Sequence, residues 1–374
     1  MVEVIEVKTK RQQKAFLDFP AQLYRNNPNY VPPLYGDEKK IFRSDNIYND
    51  TCETGYWLAM RDGKVVGRIS AILQRASNEK HNEKRVRFTR FDAIDDAEVA
   101  SALFGAVEAF AKQRGMNAVC GPLGFSDLER EGLLVEGFDQ LSTFEEQYNA
   151  DYYAKLIEGC GYQKEVDWVE SKLYAPEPET AAKLKKLSDQ LLKKFNLHVG
   201  EAKSVNEYLK KYKDGLFDLL DVAYEDLYGT VPFTDGMKKM IIDNFRLIID
   251  LDHVVCLLDE HERIVCFGVC FPSIAKAVQP SNGKLTPAAL VRLLSAIKRP
   301  KVIDLGLIAV APDYQNTGII AIIAAALADM LSVGGVEYAE TNLNLEDNYA
   351  IQNLWKRFHA VRHKRRRSYL KELD

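Results

Sequence analysis

The stretch Leu305-Gly-Leu-Ile-Ala-Val-Ala-Pro-Asp-Tyr-Gln-Asn-Thr-Gly-Ile-Ile-Ala-Ile-Ile-Ala-Ala-Ala-Leu327 reads as a buried strand, a polar turn holding Gln315 and Gly318, and a strongly apolar helix. A strand that feeds a glycine-bearing turn and a helix N-terminus aims free N–H groups and the positive end of the helix dipole at one spot. The pattern predicts an anion site and places a phosphate-bearing ligand among the expected partners. A strand–turn–helix crossover without a ligand has the same local pattern.

Outward from this segment, the chain reads as one unit written twice. Leu23-Tyr-Arg-Asn-Asn-Pro-Asn-Tyr-Val-Pro-Pro-Leu-Tyr-Gly-Asp-Glu-Lys-Lys-Ile41 and Leu227-Tyr-Gly-Thr-Val-Pro-Phe-Thr-Asp-Gly-Met-Lys-Lys-Met-Ile241 share Leu-Tyr, Val-Pro, Asp and Lys-Lys in the same order. Each is followed by a hairpin pattern. The first runs from Tyr56 to Ile72 around Asp62-Gly63; the second joins Val254–Leu258 to Ile264–Phe271. A strand and a long helix come next, Val86–Ile94 then Ala97–Arg114 in one copy and Val302–Val310 then Gly318–Leu331 in the other. Each copy then adds a strand, a helix and a closing strand, Trp168–Tyr174 or Arg367–Leu370. The break Pro176-Glu-Pro178 opens a linker. The expected division is therefore 1–175, a linker helix over 176–196, and 197–374.

The 374 residues suffice for two domains, and 47% hydrophobic with 28% charged residues is a globular balance. A formal net charge of -4 argues against a general nucleic-acid binder. No apolar run approaches the ~20 residues of a membrane span, and the N-terminus alternates like a strand, so neither a signal peptide nor a membrane partner is expected. None of the six cysteines forms a Cys-x-x-Cys pair and the six histidines are scattered. A reduced, cytoplasmic protein without disulfides or a metal site is expected.

The run Val310-Ala-Pro-Asp-Tyr-Gln-Asn-Thr-Gly318 makes the second copy resemble the GCN5-related N-acetyltransferase (GNAT) fold, and the doubled unit resembles tandem GNAT proteins. The family pattern holds at Val310, Pro312, Asp313, Gln315 and Gly318 and departs at Ile320, where a small residue is usual. The resemblance implies an α/β (α+β) fold of two units, each a mixed, mostly antiparallel central sheet flanked by helices. It also implies acetyl-CoA or another acyl-CoA as cosubstrate. The pyrophosphate would lie at Gln315, Asn316, Thr317, Gly318, Ile319 and Ile320, and the pantetheine along Ile308, Ala309 and Val310.

A second family signature is matched at Asn149, Leu156, Glu158, Gly161 and Tyr162, and more loosely over Asn348–Ala360. The tyrosine that often protonates the leaving thiolate is replaced by Ile157 in one copy and Trp355 in the other. A thiolate leaves readily, so this loss need not abolish transfer. The first copy carries Ile94-Asp-Asp-Ala-Glu98 in the motif position. Carboxylates there repel a pyrophosphate, so coenzyme A is expected in the second copy only.

Acyl transfer to an amine needs the amine deprotonated. Glu340 is the expected base, with Asn342 and Asn344 as positioning groups; a salt-bridged strand residue is the plainer reading of Glu340. The segment Gly121–Asp139 is long, glycine-punctuated and acidic. Its Glu136 and Asp139, with Tyr24 and Tyr30, are expected on the acceptor side, against the alternative of a mobile acidic surface loop. The basic run Arg362–Arg367 continues into an edge-strand pattern. No Gly-x-Ser-x-Gly and no activated cysteine is present. The expected activity is transfer of an acyl group from acyl-CoA to a small-molecule amine or peptide by direct attack. The alternatives are an inactive ligand-binding or scaffold protein and a transferase using an aminoacyl-tRNA or peptide partner.

Overall fold

The computed structural model describes residues 1–246, 248–332 and 335–374. The chain forms two compact units. The first holds Met1–Val169, Ile274–Leu293 and His363–Asp374; the second holds Glu170–Ser273 and Leu294–Arg362.

In chain order the first half gives β1 (Glu3–Glu6), α1 (Lys10–Leu23), α2 (Tyr35–Glu38), β2 (Cys52–Arg61), β3 (Lys64–Gln74), α3 (Arg75–His81) and β4 (Arg85–Ala93). It continues with α4 (Ala97–Gln113), β5 (Ala118–Gly121), β6 (Leu133–Glu136), α5 (Tyr153–Gly159) and β7 (Gln163–Tyr174). The second half gives α6 (Pro178–Lys194), β8 (His198–Val199), α7 (Val205–Ala223), α8 (Asp235–Phe245), β9 (Val254–Leu258), β10 (Ile264–Pro272) and α9 (Ala275–Val278). It ends with α10 (Pro287–Lys298), β11 (Val302–Val310), α11 (Ile320–Ser332), β12 (Tyr338–Glu340), β13 (Asn344–Leu345), α12 (Tyr349–Trp355) and β14 (His359–Glu372).

The two units share one strand plan. In the first, β1, β2, β3 and β4 pair antiparallel in that order and β4 pairs parallel with β5. In the second, β8, β9, β10 and β11 pair antiparallel and β11 pairs parallel with β12. Asp62 and Gly63 both take positive φ, as the tight hairpin turn requires. The mixed, mostly antiparallel sheets are those the family resemblance implies.

Each core follows from its helices. α4 carries Val99, Leu103, Phe104, Val107 and Phe110 at helical spacing and buries them in a cluster with Phe88 and Phe91. Asp96 caps α4 by accepting from the N–H groups of Glu98 and Val99. α11 buries Ala321, Ala324, Ala325 and Ala328, and its small side chains let it close on Leu184 of α6 and on Ile303 and Ala339 of the sheet.

The units differ from a contiguous division of the chain in the two closing strands, which are exchanged, and in one displaced segment. The closing antiparallel strand of the first unit is the C-terminal part of β14, with Tyr369 opposite Gly121 and Leu370 opposite Cys120. That of the second unit is the end of β7, with Leu173 opposite Ala339 and Lys172 opposite Glu340. The segment Ile274–Leu293 belongs to the first unit, where Ile274, Ala275 and Val278 pack with Val31. Sequence periodicity marks a strand but not its neighbour, so neither exchange has a local signature. Among the described residues no helix is long and apolar enough to cross a membrane.

Candidate functional site

In the second unit β11 and β12 pair only from Val302 opposite Tyr338 to Asp304 opposite Glu340. Beyond that point the strands part, while β11 runs on to Val310 along β10. Main-chain groups of alternate residues in a strand face opposite edges. The Ala311 N–H donates to Val265 O at 2.8 Å, so Ala311 and Ala309 face β10, and Ile308 and Val310 present theirs to the parted edge. Of the three strand residues expected beside a pantetheine, Ala309 is thus already engaged with β10.

The open edge at Ile308 is occupied by a side chain. Tyr224, which closes α7, donates its hydroxyl hydrogen to Ile308 O at 3.0 Å and accepts from the Ile308 N–H at 3.4 Å. One hydroxyl therefore makes both contacts that a neighbouring amide would make. Sequence comparison pairs Tyr24 with Tyr228 and passes over Tyr224. The usable signal is that Tyr24 and Tyr224 each cap the long helix that follows the opening strand of their sheet, α1 after β1 and α7 after β8.

After β11 the chain makes a single 3-10 turn at Pro312–Tyr314, and Gly318 adopts φ +86°. Asn316 is also left-handed, at φ +61°. The Gln315 N–H is used by Pro312 O and that of Thr317 by Tyr314 O. Those of Asn316, Gly318, Ile319 and Ile320 have no partner among the described residues. They lead into and include the first residue of a thirteen-residue helix, where unclaimed N–H groups and the helix dipole suit an anion. Asp313 is the one carboxylate in the turn, and Arg263 answers it at 2.5 Å while also bonding Asp259 at 3.1 Å. A cleft of about 800 Å³ opens beside the turn, lined by Lys211, Gly215, Leu219 and Val222 of α7 and by Arg263 and Pro312.

Glu340 is buried and stands at the last paired position before the strands part, with buried Asp304 opposite it on β11. Burial, and after it the carboxylates of Glu340 and Asp304, push the nearby Tyr338 phenol upward. Asn342 accepts from the Leu343 N–H. Asn344 accepts from the Trp355 indole N–H at 2.8 Å, so the tryptophan in the usual tyrosine position is tied to a residue expected to position substrate.

The first unit presents a different picture. Its corresponding helix N-terminus is filled by the Asp96 carboxylate, which Arg61 also holds at 2.7 Å. Tyr24 and Tyr30 are core residues: the Tyr24 hydroxyl donates to Tyr153 Oη at 2.6 Å and lies 3.3 Å from Asp92, which is paired with Arg68. Glu136 and Asp139 are exposed, Glu136 paired with Arg365 at 3.1 Å. Within Gly121–Asp139 the start is buried, and so is Glu131, one of whose oxygens lacks a hydrogen-bond partner. Burial first, then Asp127, pushes the Glu131 carboxyl well above its usual range, and Arg87 opposes them. The segment is therefore in part a packed element rather than a solvated acidic loop.

No family model matches the chain. It is 30% identical over 378 residues to Protein YghO of Escherichia coli (strain K12), an alignment covering 97% of this chain and 94% of that protein. It is 27% identical over 303 residues to the bacterial ceramide synthase of Caulobacter vibrioides, covering 79% of this chain and 77% of that protein. A tandem GNAT protein from the clavulanic acid biosynthesis pathway superposes with a TM-score of 0.58 at 10% identity, over 100% of this chain and 98% of that one. The chain belongs to the family of Protein YghO and is built as a tandem GNAT-like protein.

Proposed function

We propose that the second unit binds an acyl-CoA along the open edge of β11 and transfers its acyl group to an amine. The observation that carries this reading is the parted pair of strands: β11 keeps two inward-facing residues, Ile308 and Val310, unpaired by β12. They lead to a turn with four unclaimed N–H groups, at Asn316, Gly318, Ile319 and Ile320. Extended ligand amides suit the edge and a pyrophosphate suits the turn. Arg263, shared between Asp259 and Asp313, offsets part of the one charge in the turn that opposes a phosphate. Leu219, Val222 and Ile264 give the adjoining cleft an apolar wall that suits an acyl chain.

In the proposed reaction the amine nitrogen attacks the thioester carbonyl, a C–N bond forms and the C–S bond breaks. Glu340, at the point of divergence, takes the amine proton directly or through one water, and the thiolate leaves as coenzyme A. Trp355 cannot serve as the acid, so the departing sulfur is protonated from solvent. Likeness to the Caulobacter ceramide synthase supports a long-chain amino alcohol as the acceptor class, since a ceramide is the fatty-acyl amide of such an amine.

A second reading, a protein that binds acyl-CoA without turnover, draws on the Trp355–Asn344 bond, in which the tryptophan that replaces the usual acid occupies the side-chain oxygen of a residue expected to position substrate. Calorimetric titration of the full chain with acetyl-CoA and a long-chain acyl-CoA, followed by thiol release over a panel of amines, separates the two. Binding with release supports the transferase. Binding without release on any amine supports the second reading, and no binding at millimolar ligand defeats both.

A further inference from the structure

We propose that α10 and the turn before it form a docking surface for an anionic lipid bilayer. The proposal does not depend on the reading of the second unit.

Of the nine exposed large apolar residues among the described ones, four fall between positions 285 and 294: Leu285, Leu290, Val291 and Leu294. Isolated apolar residues on a surface are ordinary, but a run on one helix is not. At 100° per residue Leu290, Val291 and Leu294 share one face of α10 with Pro287 and Lys298. The opposite face buries Ala289 and packs Leu293 against the cluster of Val31, Ile274 and Val278. The helix is thus apolar on both sides while only one side has protein to cover it, with Val291 and Leu294 each 68% exposed.

Charge identifies the occupant. From Ser273 to Lys301 there are six basic residues, Lys276, Lys284, Arg292, Lys298, Arg299 and Lys301, and no acidic one, in a chain whose net charge is -4. Lys276, Lys298, Arg299 and Lys301 make no ion pair among the described residues. An apolar stripe bordered by uncompensated cations is the pattern of a helix that lies in the headgroup layer of an anionic membrane. The segment is also held firmly. Gln279 Nε2 donates to Pro28 O at 2.7 Å and to Tyr30 O at 2.9 Å, and the Tyr35 N–H donates to Gly283 O at 2.9 Å. The absence of a spanning helix does not bear on such a surface, which lies on a membrane rather than in it.

The test is co-sedimentation of the full chain with vesicles of equal parts phosphatidylglycerol and phosphatidylcholine, and with phosphatidylcholine alone, at low and high salt. We expect binding to the mixed vesicles, weakened by salt and roughly tenfold or more by Val291→Glu. The double change Lys298→Glu/Arg299→Glu, at exposed positions that fold does not need, should weaken it as well. No binding to the mixed vesicles, equal binding to phosphatidylcholine alone, or binding indifferent to both variants overturns the proposal. A dimer in sedimentation velocity that Val291→Glu dissolves, without vesicle binding, assigns the surface to a second copy instead.

Discussion

Tyr224→Phe isolates one hydroxyl. In the free protein that hydroxyl satisfies the Ile308 carbonyl at 3.0 Å, within the normal range, and the Ile308 N–H at 3.4 Å, beyond it. Only the first bond counts at full strength, so its removal should cost about 1 kcal/mol. A unit of this size would lose about 2–4 °C in Tm, read by differential scanning calorimetry. Ligand binding should move the other way. An acyl-CoA amide that takes the Ile308 groups must first displace the tyrosine, and the phenylalanine offers no competitor. The dissociation constant for acetyl-CoA should fall by up to about fivefold, the equivalent of ~1 kcal/mol. Lower Tm with unchanged affinity would show that the ligand does not use Ile308. Weaker affinity would show that the hydroxyl contacts the ligand rather than standing in its place. Either result refutes the placement of the ligand on this edge.

Other substitutions probe separate parts of the site. Gly318→Ala should cost about 1–2 kcal/mol from its φ of +86° alone, since a Cβ there meets nothing within 4 Å. Gly318→Glu adds a charge beside the four free N–H groups and should abolish coenzyme A binding in calorimetry, whereas affinity within twofold of Gly318→Ala would exclude the turn as the phosphate site. Glu340→Gln should lower kcat by about 10²–10⁴ with little change in acyl-CoA affinity; a wild-type rate would remove Glu340 as the base. In the first unit, the folded pKa of Glu131 lies above its ordinary 4.5, so the folded state keeps a proton the unfolded chain loses. The stability this contributes is present below 4.5 and is lost as pH rises through the folded value. Glu131→Gln should therefore raise stability by about 1 kcal/mol at pH 8 and change little at pH 4, and a shift equal at both pH values would contradict the buried unpaired acid. All six thiols are pushed up chiefly by burial, Cys52 and Cys256 to about 11 and Cys120 and Cys270 to about 12, so a disulfide reagent at pH 8 should label none quickly until the chain is unfolded.

The parts of the site that sequence exposed are those fixed by neighbours along the chain. Pro312, Asp313 and Gly318 punctuate a turn wherever they occur between an apolar strand and an apolar helix, and the structure puts that turn, with its free N–H groups, where the pattern predicts. The parts it concealed depend on distant partners. Tyr224 meets a strand eighty-four positions away, and nothing around it marks the encounter. Gly121–Asp139 reads as acidic and mobile because its cations lie elsewhere: Arg87 donates to Gly124 O from β4, and Arg90 lies 3.9 Å from Glu129. Tyr24 and Tyr30 sit in a recurring polar-aromatic motif, yet both are packed inside the first unit, whereas Tyr228, which matches Tyr24 in the second copy, is only partly buried.

The exchanged closing strands govern how this chain comes into being. A ribosome releases the protein from residue 1 onward, but the sheet of the first unit lacks its edge partner until Tyr369 and Leu370 have emerged. Until then β5 stands as a bare edge, open to pairing with other chains. The second unit has the reverse history, because Lys172 and Leu173 are made early and must wait for β12. Neither half of the chain thus holds every strand of its own sheet. Splitting the chain at the linker separates each sheet from its last strand, and mixing the two fragments should restore both.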